Sequence, residues 1–225
     1  MTYNMRTNLP IVEGYMHSCM NTSAHDMEHV YRVLNYALEI ARHESELVDI
    51  ELLTVVCLLH DIARMEQCSD ENVDHALYGA GKAYTWLVKN GYSDEFASMA
   101  KECIMTHRFR SNNPPQSIEA RILFDADKLD VCGAIGIARV LLSKSYKAEP
   151  IYSLTENGEV SDGAQDTQSS FLHEYKFKLE KLYGKFFTKL GIQLAEKRRT
   201  IAENFYIALL SEARECYSYS DQFKK

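Results

Sequence analysis

The sequence predicts an all-α protein, and three observations carry that expectation. Apolar residues recur at i, i+3 and i+4 through most of the chain. No stretch alternates apolar and polar residues over the length of a strand. Four Pro and ten Gly among 225 residues are too few for a turn-dense β protein, while 46% hydrophobic residues suffice for a full core. The stretch Leu52-Leu53-Thr54-Val55-Val56-Cys57-Leu58-Leu59 has no polar face, so as a helix it is buried all round. It runs straight into His60-Asp61. Adjacent helical side chains diverge by ~100°, so this imidazole and this carboxylate can straddle a single ion. Buried charges are usually paired or bound to metal; a helix that has merely reached its wet end fits the pair equally well.

Taken in order, residues 1–10 read as an untethered tail and Ile11 to about Cys19 as a short first helix, broken at Asn21-Thr22-Ser23. Val30, Val33, Leu34, Ala37, Leu38 and Ala41 mark an amphipathic helix. Asp49 can cap the central helix, and the chain then loosens into a polar loop from Gln67 to Asn72. Ala76 to Val88 is helical again and stops at Asn90-Gly91, a left-handed C-terminal cap. Ser93-Asp94-Glu95 caps a helix that points Phe96, Ala100, Cys103 and Ile104 inward and ends near His107. After the Asn112-Asn113-Pro114-Pro115 turn, Ser117 opens a helix through Ile122 and Leu123 into Asp125-Ala126-Asp127-Lys128-Leu129-Asp130. The small residues of Gly133 to Leu142 suit close helix packing. Residues 147–168 are polar enough to predict a surface loop, disordered or a lid. Long charged helices over 170–187 and from about Ile192 to Tyr217 close the chain.

A formal net charge of -7 disfavours nucleic acid or an anionic membrane as bulk partners. Six cysteines without a CxxC pair read as reduced thiols. With no apolar leader and no run long enough to span a bilayer, the expected location is the cytoplasm.

The polar residues at helix edges form a series: His25-Asp26-Met27-Glu28-His29, His60-Asp61, His75, His107, and the acidic stretch from Asp125 to Asp130. Singly each has a plain explanation, as a core histidine or a solvated helix face. Together they supply the imidazole and carboxylate mixture that divalent ions take, and such an ion lowers the pKa of bound water toward ~7.

With its flanks, this series resembles the HD-domain phosphohydrolase superfamily, an all-α metal-dependent family whose signature is H…HD…D. The resemblance rests on His25-Asp26-x-x-His29-x-x-Arg32-Val33, on His60-Asp61-Ile62-Ala63-Arg64, and on Ile122-Leu123-Phe124-Asp125-Ala126-Asp127-Lys128-Leu129-Asp130 followed by Gly133-Ala134-Ile135-Gly136. It points to a bacterial branch of nucleotide phosphohydrolases and extends over roughly residues 20 to 215, taking in Lys181-Leu182, Ala195-Glu196 and Arg198. Ala63 stands where many relatives carry Gly.

What the resemblance implies is an HD-type helical bundle with additional C-terminal helices in one domain: a core over about 20–145, the 147–168 loop, and helices over 170–217. His29, His60, Asp61 and Asp127 match the family's metal ligands, and His75 and His107 fall where dinuclear members place further histidines. The cofactor is then a divalent ion (Mn, Mg, Co, Fe or Zn), with room for two. The substrate is a small phosphorylated metabolite, a nucleotide before others, and the chain can form homo-oligomers. Arg32, Arg64 and Lys128 can clamp phosphate oxygens, or pair with Asp26 or Asp130 instead. Asp61 can also take a proton from water, and Asp130 can orient a ligand. Three other readings stay open, one of them a metal-dependent oxygenase built on the same ligand order. His25-x-x-Glu28-His29 matches the H-x-x-E-H motif of inverted zinc proteases, and the fold can serve as a silent metal-binding regulatory domain.

Overall fold

The structure, a computed structural model, describes residues 5–20, 27–108 and 113–220, the side chains of 5–8 and 217–220 apart. The order is α1 (Met5–Met20), α2 (Met27–Ala41), α3 (Ile50–Leu59), α4 (Arg64–Ser69), α5 (His75–Lys89), α6 (Asp94–Thr106), α7 (Ile118–Leu129), α8 (Gly133–Tyr146), α9 (Phe171–Glu174), a π-helical turn (Tyr175–Leu179) and α10 (Lys189–Ser220). The all-α class expected from periodicity is what is found. Among the described residues, β pairing is limited to one isolated bridge, Leu154 with Val160. No described helix is long and apolar enough to cross a membrane.

The chain divides into two compact units. The first runs to Asp127 and takes back Phe187–Gly191. At its centre is α3, with Leu52 through Leu59 all buried, as a helix without a polar face must be. Asp49 caps it, accepting from the Leu52 amide at 3.0 Å, and Glu119 of α7 accepts from the Asp49 amide at 2.9 Å. Around α3, α2 buries Val30, Val33, Ala37 and Ile40. Ser93 caps α6 by accepting from the Phe96 amide at 3.2 Å, and Gly91, at φ 89°, ends the turn after α5.

Two expectations change here. The first helix starts at Met5, with Pro10 inside it, where the sequence predicts a tail. Gln67 is helical, because α4 occupies the beginning of the predicted polar loop. The Asn21-Thr22-Ser23 break and Asn112 lie outside the described residues.

Asp125, fully buried on α7, explains why Phe187–Gly191 belongs to this unit. Its carboxylate accepts from the Phe187 amide at 3.0 Å, the Thr188 amide at 2.7 Å and the Thr188 hydroxyl at 2.6 Å. Gly191 makes room, since a β-carbon there would collide with the Asp125 carboxylate and the Thr188 hydroxyl. Burial raises the Asp125 carboxyl to about 6, against the pull of the Thr188 hydroxyl and the two amides. Asp125→Ala strands these donors, and each unsatisfied buried group costs ~1–3 kcal/mol. The expected loss is about 3 kcal/mol, a fall of ~6–12 °C in Tm at 2–4 °C per kcal/mol, read by thermal unfolding of the purified variant.

The second unit comprises Lys128–Phe186 and continues from Ile192. Gly133 and Gly136 at the start of α8 are forced by close approach. Gly133 takes φ 67° against Arg198, and a β-carbon on Gly136 would overlap the Val131 carbonyl. Arg198 donates to the Leu129 carbonyl at 2.7 Å.

The 147–168 stretch is a folded excursion rather than a disordered one. Thr155 donates to the Glu159 carbonyl at 2.8 Å and Ser161 to the Ser153 carbonyl at 3.0 Å. Asp166 accepts from the Ser153 and Ser161 hydroxyls. From α10, Tyr206 donates to the Asp162 carbonyl at 2.8 Å and Arg214 reaches the Val160 carbonyl at 3.4 Å, while the Val160 side chain is buried. The predicted helix over 170–187 is also replaced, by the short α9, the π turn and further turns. The wide turn, closed by the Glu180 amide on the Tyr175 carbonyl at 2.9 Å, inserts one residue. Tyr175 and Leu179 are both buried, and the Tyr175 ring stacks on Tyr206 with centroids 4.3 Å apart.

Candidate metal centre

Six of the residues in the sequence series converge inside the first unit, and each comes from a helix end or its edge. His29 is in the first turn of α2, His60 is the C-cap of α3 with Asp61 after it, and His75 is the first residue of α5, whose cap is Asp74. His107 is the C-cap of α6, and Asp127 is in the last turn of α7. All six are buried.

They form two groups of three, His29–His60–Asp127 and Asp61–His75–His107. Asp61 touches both. Its Oδ2 lies 3.5 Å from His29 Nε2 and 3.6 Å from His60 Nε2. Its Oδ1 lies 3.3 Å from His75 Nε2 and 3.7 Å from His107 Nε2. Within the first group His29 Nε2 is 3.4 Å from Asp127 Oδ1 and 3.3 Å from His60 Nε2. Ligands held ~2.0–2.2 Å from one ion lie roughly 3 Å from each other, so these separations fit an ion shared by neighbouring atoms. The orphaned atoms agree: Asp61 Oδ1 and His75 Nε2 are buried and make no hydrogen bond, a costly arrangement unless something binds them.

Helix ends also set the tautomers. The last carbonyls of a helix lack intrahelical donors. The Cys57 carbonyl accepts from His60 Nδ1 at 2.7 Å, and the Ile104 carbonyl accepts from His107 Nδ1 at 2.6 Å. With the proton on Nδ1, both rings turn an Nε2 lone pair toward the cluster. His75 reaches the same state when its Nδ1 donates to Gln67 Oε1, 2.7 Å away.

The electrostatics suit ligation. Burial lowers His60 to about 4, with Asp61 opposing it, and burial lowers His75 to about 4 in the same way. Both rings are therefore neutral at physiological pH. Burial pushes the Asp61 carboxyl up, but Arg64 and then His60 more than reverse this and hold it well below the usual carboxylate range. Arg64 Nε lies 2.9 Å from Asp61 Oδ2, though its N–H does not point along that contact.

The other candidates are placed differently. Arg32 is half-buried one turn after His29 on α2. Lys128 and Asp130 fall in the second unit, where Asp130 is ion-paired with Arg139. His25 and Asp26 lie outside the described residues, and Glu28 is exposed where His29 is buried, which gives no support to a shared protease-type helix face. Two residues in the surroundings escaped the sequence reading. Gln67 stands three positions after Arg64, a helical spacing masked by its polar neighbours. Arg108, directly after His107, has Nη1 3.1 Å from His75 Nδ1 and 3.6 Å from Asp74 Oδ1.

Comparison with known proteins now adds to this geometry. Residues 26–132 match the family model for the HD domain, a span that contains all six clustered residues. The uncharacterized protein YpgQ of Bacillus subtilis (strain 168) is 29% identical over 188 residues, 82% of either chain. A crystal structure of a predicted HD superfamily hydrolase from an uncultured Thermotogales bacterium is 26% identical, with TM-score 0.60 over 93% of this chain and 99% of its own. YpgQ crystallised in complex with ADP has TM-score 0.70 at 24% identity, over 92% and 96%; at that identity the likeness speaks for the fold. The motif, its helix-end placement and these matches agree on one point, that residues 26–132 of this chain match the HD domain.

Proposed function

We propose that the protein is a divalent-metal phosphohydrolase of HD type acting on a small phosphorylated metabolite, a nucleotide before others. The observation that carries this reading is Asp61, whose two oxygens each face a separate group of buried histidines. His29, His60 and Asp127 would hold one ion and His75 and His107 a second, with Asp61 serving both. Divalent ions at such a site polarise a phosphoryl oxygen and make water a nucleophile at neutral pH.

The chain's own residues do the rest. Arg64 keeps Asp61 ionised. The Nδ1–H bonds to Cys57 and Ile104 hold two imidazoles in the ligating tautomer. Burial of the cluster excludes bulk water, which strengthens every charge interaction in it. Arg32, one turn after His29 on α2, and Arg64, beside Asp61 at the start of α4, would neutralise phosphate oxygens, and each donor that meets developing charge contributes ~2–4 kcal/mol. A predicted HD superfamily hydrolase of similar fold supports a hydrolase, and the crystal structure of YpgQ in complex with ADP supports a nucleotide.

Purified protein loaded with Mn²⁺ is to be screened against nucleoside mono-, di- and triphosphates, with products separated chromatographically. Turnover of at least one nucleotide is expected. Monophosphate plus pyrophosphate and diphosphate plus phosphate distinguish the two modes of cleavage. Silence across the panel with metal bound would favour the regulatory reading.

A further inference from the structure

We propose that His75 Nδ1 is contested by Gln67 and Arg108, and that the winner decides whether the Asp61–His75–His107 group can hold its ion; Gln67 is the positioning residue that keeps it competent. The proposal rests on the two-ion reading above. Gln67 Oε1 lies 2.7 Å from His75 Nδ1 and Arg108 Nη1 lies 3.1 Å from the same atom.

These two contacts require different tautomers. A carbonyl oxygen only accepts, so the Gln67 bond needs a proton on Nδ1. A guanidinium only donates, so the Arg108 bond needs a lone pair there. The orientation of the Gln67 amide is supported independently, because the same Oε1 is 3.4 Å from Arg64 Nη1, which needs an acceptor.

With the proton on Nδ1, His75 Nε2 carries its lone pair toward Asp61 Oδ1 and can ligate. With Arg108 bonded, the proton sits on Nε2, 3.3 Å from Asp61 Oδ1, and occupies the place of the ion. Arg108 also brings a positive charge against a ring that is to receive a cation. When it leaves His75 it keeps an anionic partner, Asp74 Oδ1 at 3.6 Å, so the exchange strands no charge.

The two side chains therefore have opposite signs, and Mn²⁺ alone can read them. Wild type, Gln67→Leu, Gln67→Glu and Arg108→Leu are titrated by calorimetry, with electron paramagnetic resonance reporting the spin-coupled pair of ions. Loss of a hydrogen bond behind a ligand typically weakens metal binding 10–100-fold. Gln67→Leu should weaken the second ion by about that factor and leave the first unchanged, and Gln67→Glu should restore the coupled signal. Arg108→Leu should tighten the second ion several-fold. Equal second-ion affinity in wild type and Gln67→Leu, or weaker binding in Arg108→Leu, would overturn the proposal alone. A wild type that takes a single ion overturns the two-ion reading as well, and is recognised from the wild-type titration before any variant is made.

Discussion

Replacing Asp61 with Asn is expected to lower turnover by about 1000-fold or more and to remove bound metal from both groups. Asn preserves the volume and one oxygen, so the effect is chemical rather than a packing defect. The Asp61 side chain is near all four histidines of the cluster, at 3.3 to 3.7 Å. Its negative charge is what the two sites have in common. Loss of one preorganised electrostatic group ordinarily costs 10²–10³ in rate, and here the same substitution also depletes the ions. Metal content by mass spectrometry, turnover on the best nucleotide and helix content by circular dichroism separate the possibilities. Full activity in Asp61→Asn would sink the assignment. Glu28→Gln is the matched control on an exposed residue beside His29 and should retain both metal and turnover.

Chelation is expected to lower the thermal midpoint by roughly 5–10 °C relative to protein held at 100 times the dissociation constant of its ion. Binding at that excess adds ~2.7 kcal/mol to the folded state, and a chain of this size gains ~2–4 °C per kcal/mol. The physical source lies in the cluster. Four imidazoles and two carboxylates are out of water, and Asp61 Oδ1 and His75 Nε2 have no hydrogen bonds to offset their desolvation. An ion would supply that missing partner. Scanning fluorimetry with EDTA and then with each of Mn²⁺, Mg²⁺, Co²⁺, Fe²⁺ and Zn²⁺ measures the shift and ranks the metals. A midpoint that ignores the chelator and every ion would count against the metal centre itself.

Helices α3, α5 and α6 of the first unit were legible because each declares an end: Asp49 and Ser93 as caps, Gly91 as a left-handed stop. The clustering residues were legible for a related reason. His60, Asp61 and Asp127 are polar groups set into apolar helix termini, which nothing in local propensity asks for. The rest depends on partners distant in sequence. Residues 147–168 look disordered because their own side chains are polar, yet Tyr206 and Arg214 of α10 satisfy their carbonyls. The buried series Phe171, Leu172, Tyr175, Leu179, Leu182, Tyr183 and Phe186 has the period of one long helix. It does not show that a wide turn will break it. Gln67 and Arg108 matter through a ring nitrogen on another helix, and no spacing rule marks that.

The Asp125 carboxylate bears on where this protein could be cut. The family match ends at residue 132, and a protein engineer would be tempted to stop there. The donors that satisfy Asp125 arrive more than fifty residues later, from Phe187 and Thr188. Asp125 stands two positions before Asp127 on the same helix, so the strap and the metal cluster lean on opposite sides of α7. A fragment trimmed to the match would keep every candidate ligand and lose the clasp on the helix that presents the last of them. The span that the family model matches thus omits the residues that satisfy a buried carboxylate inside it.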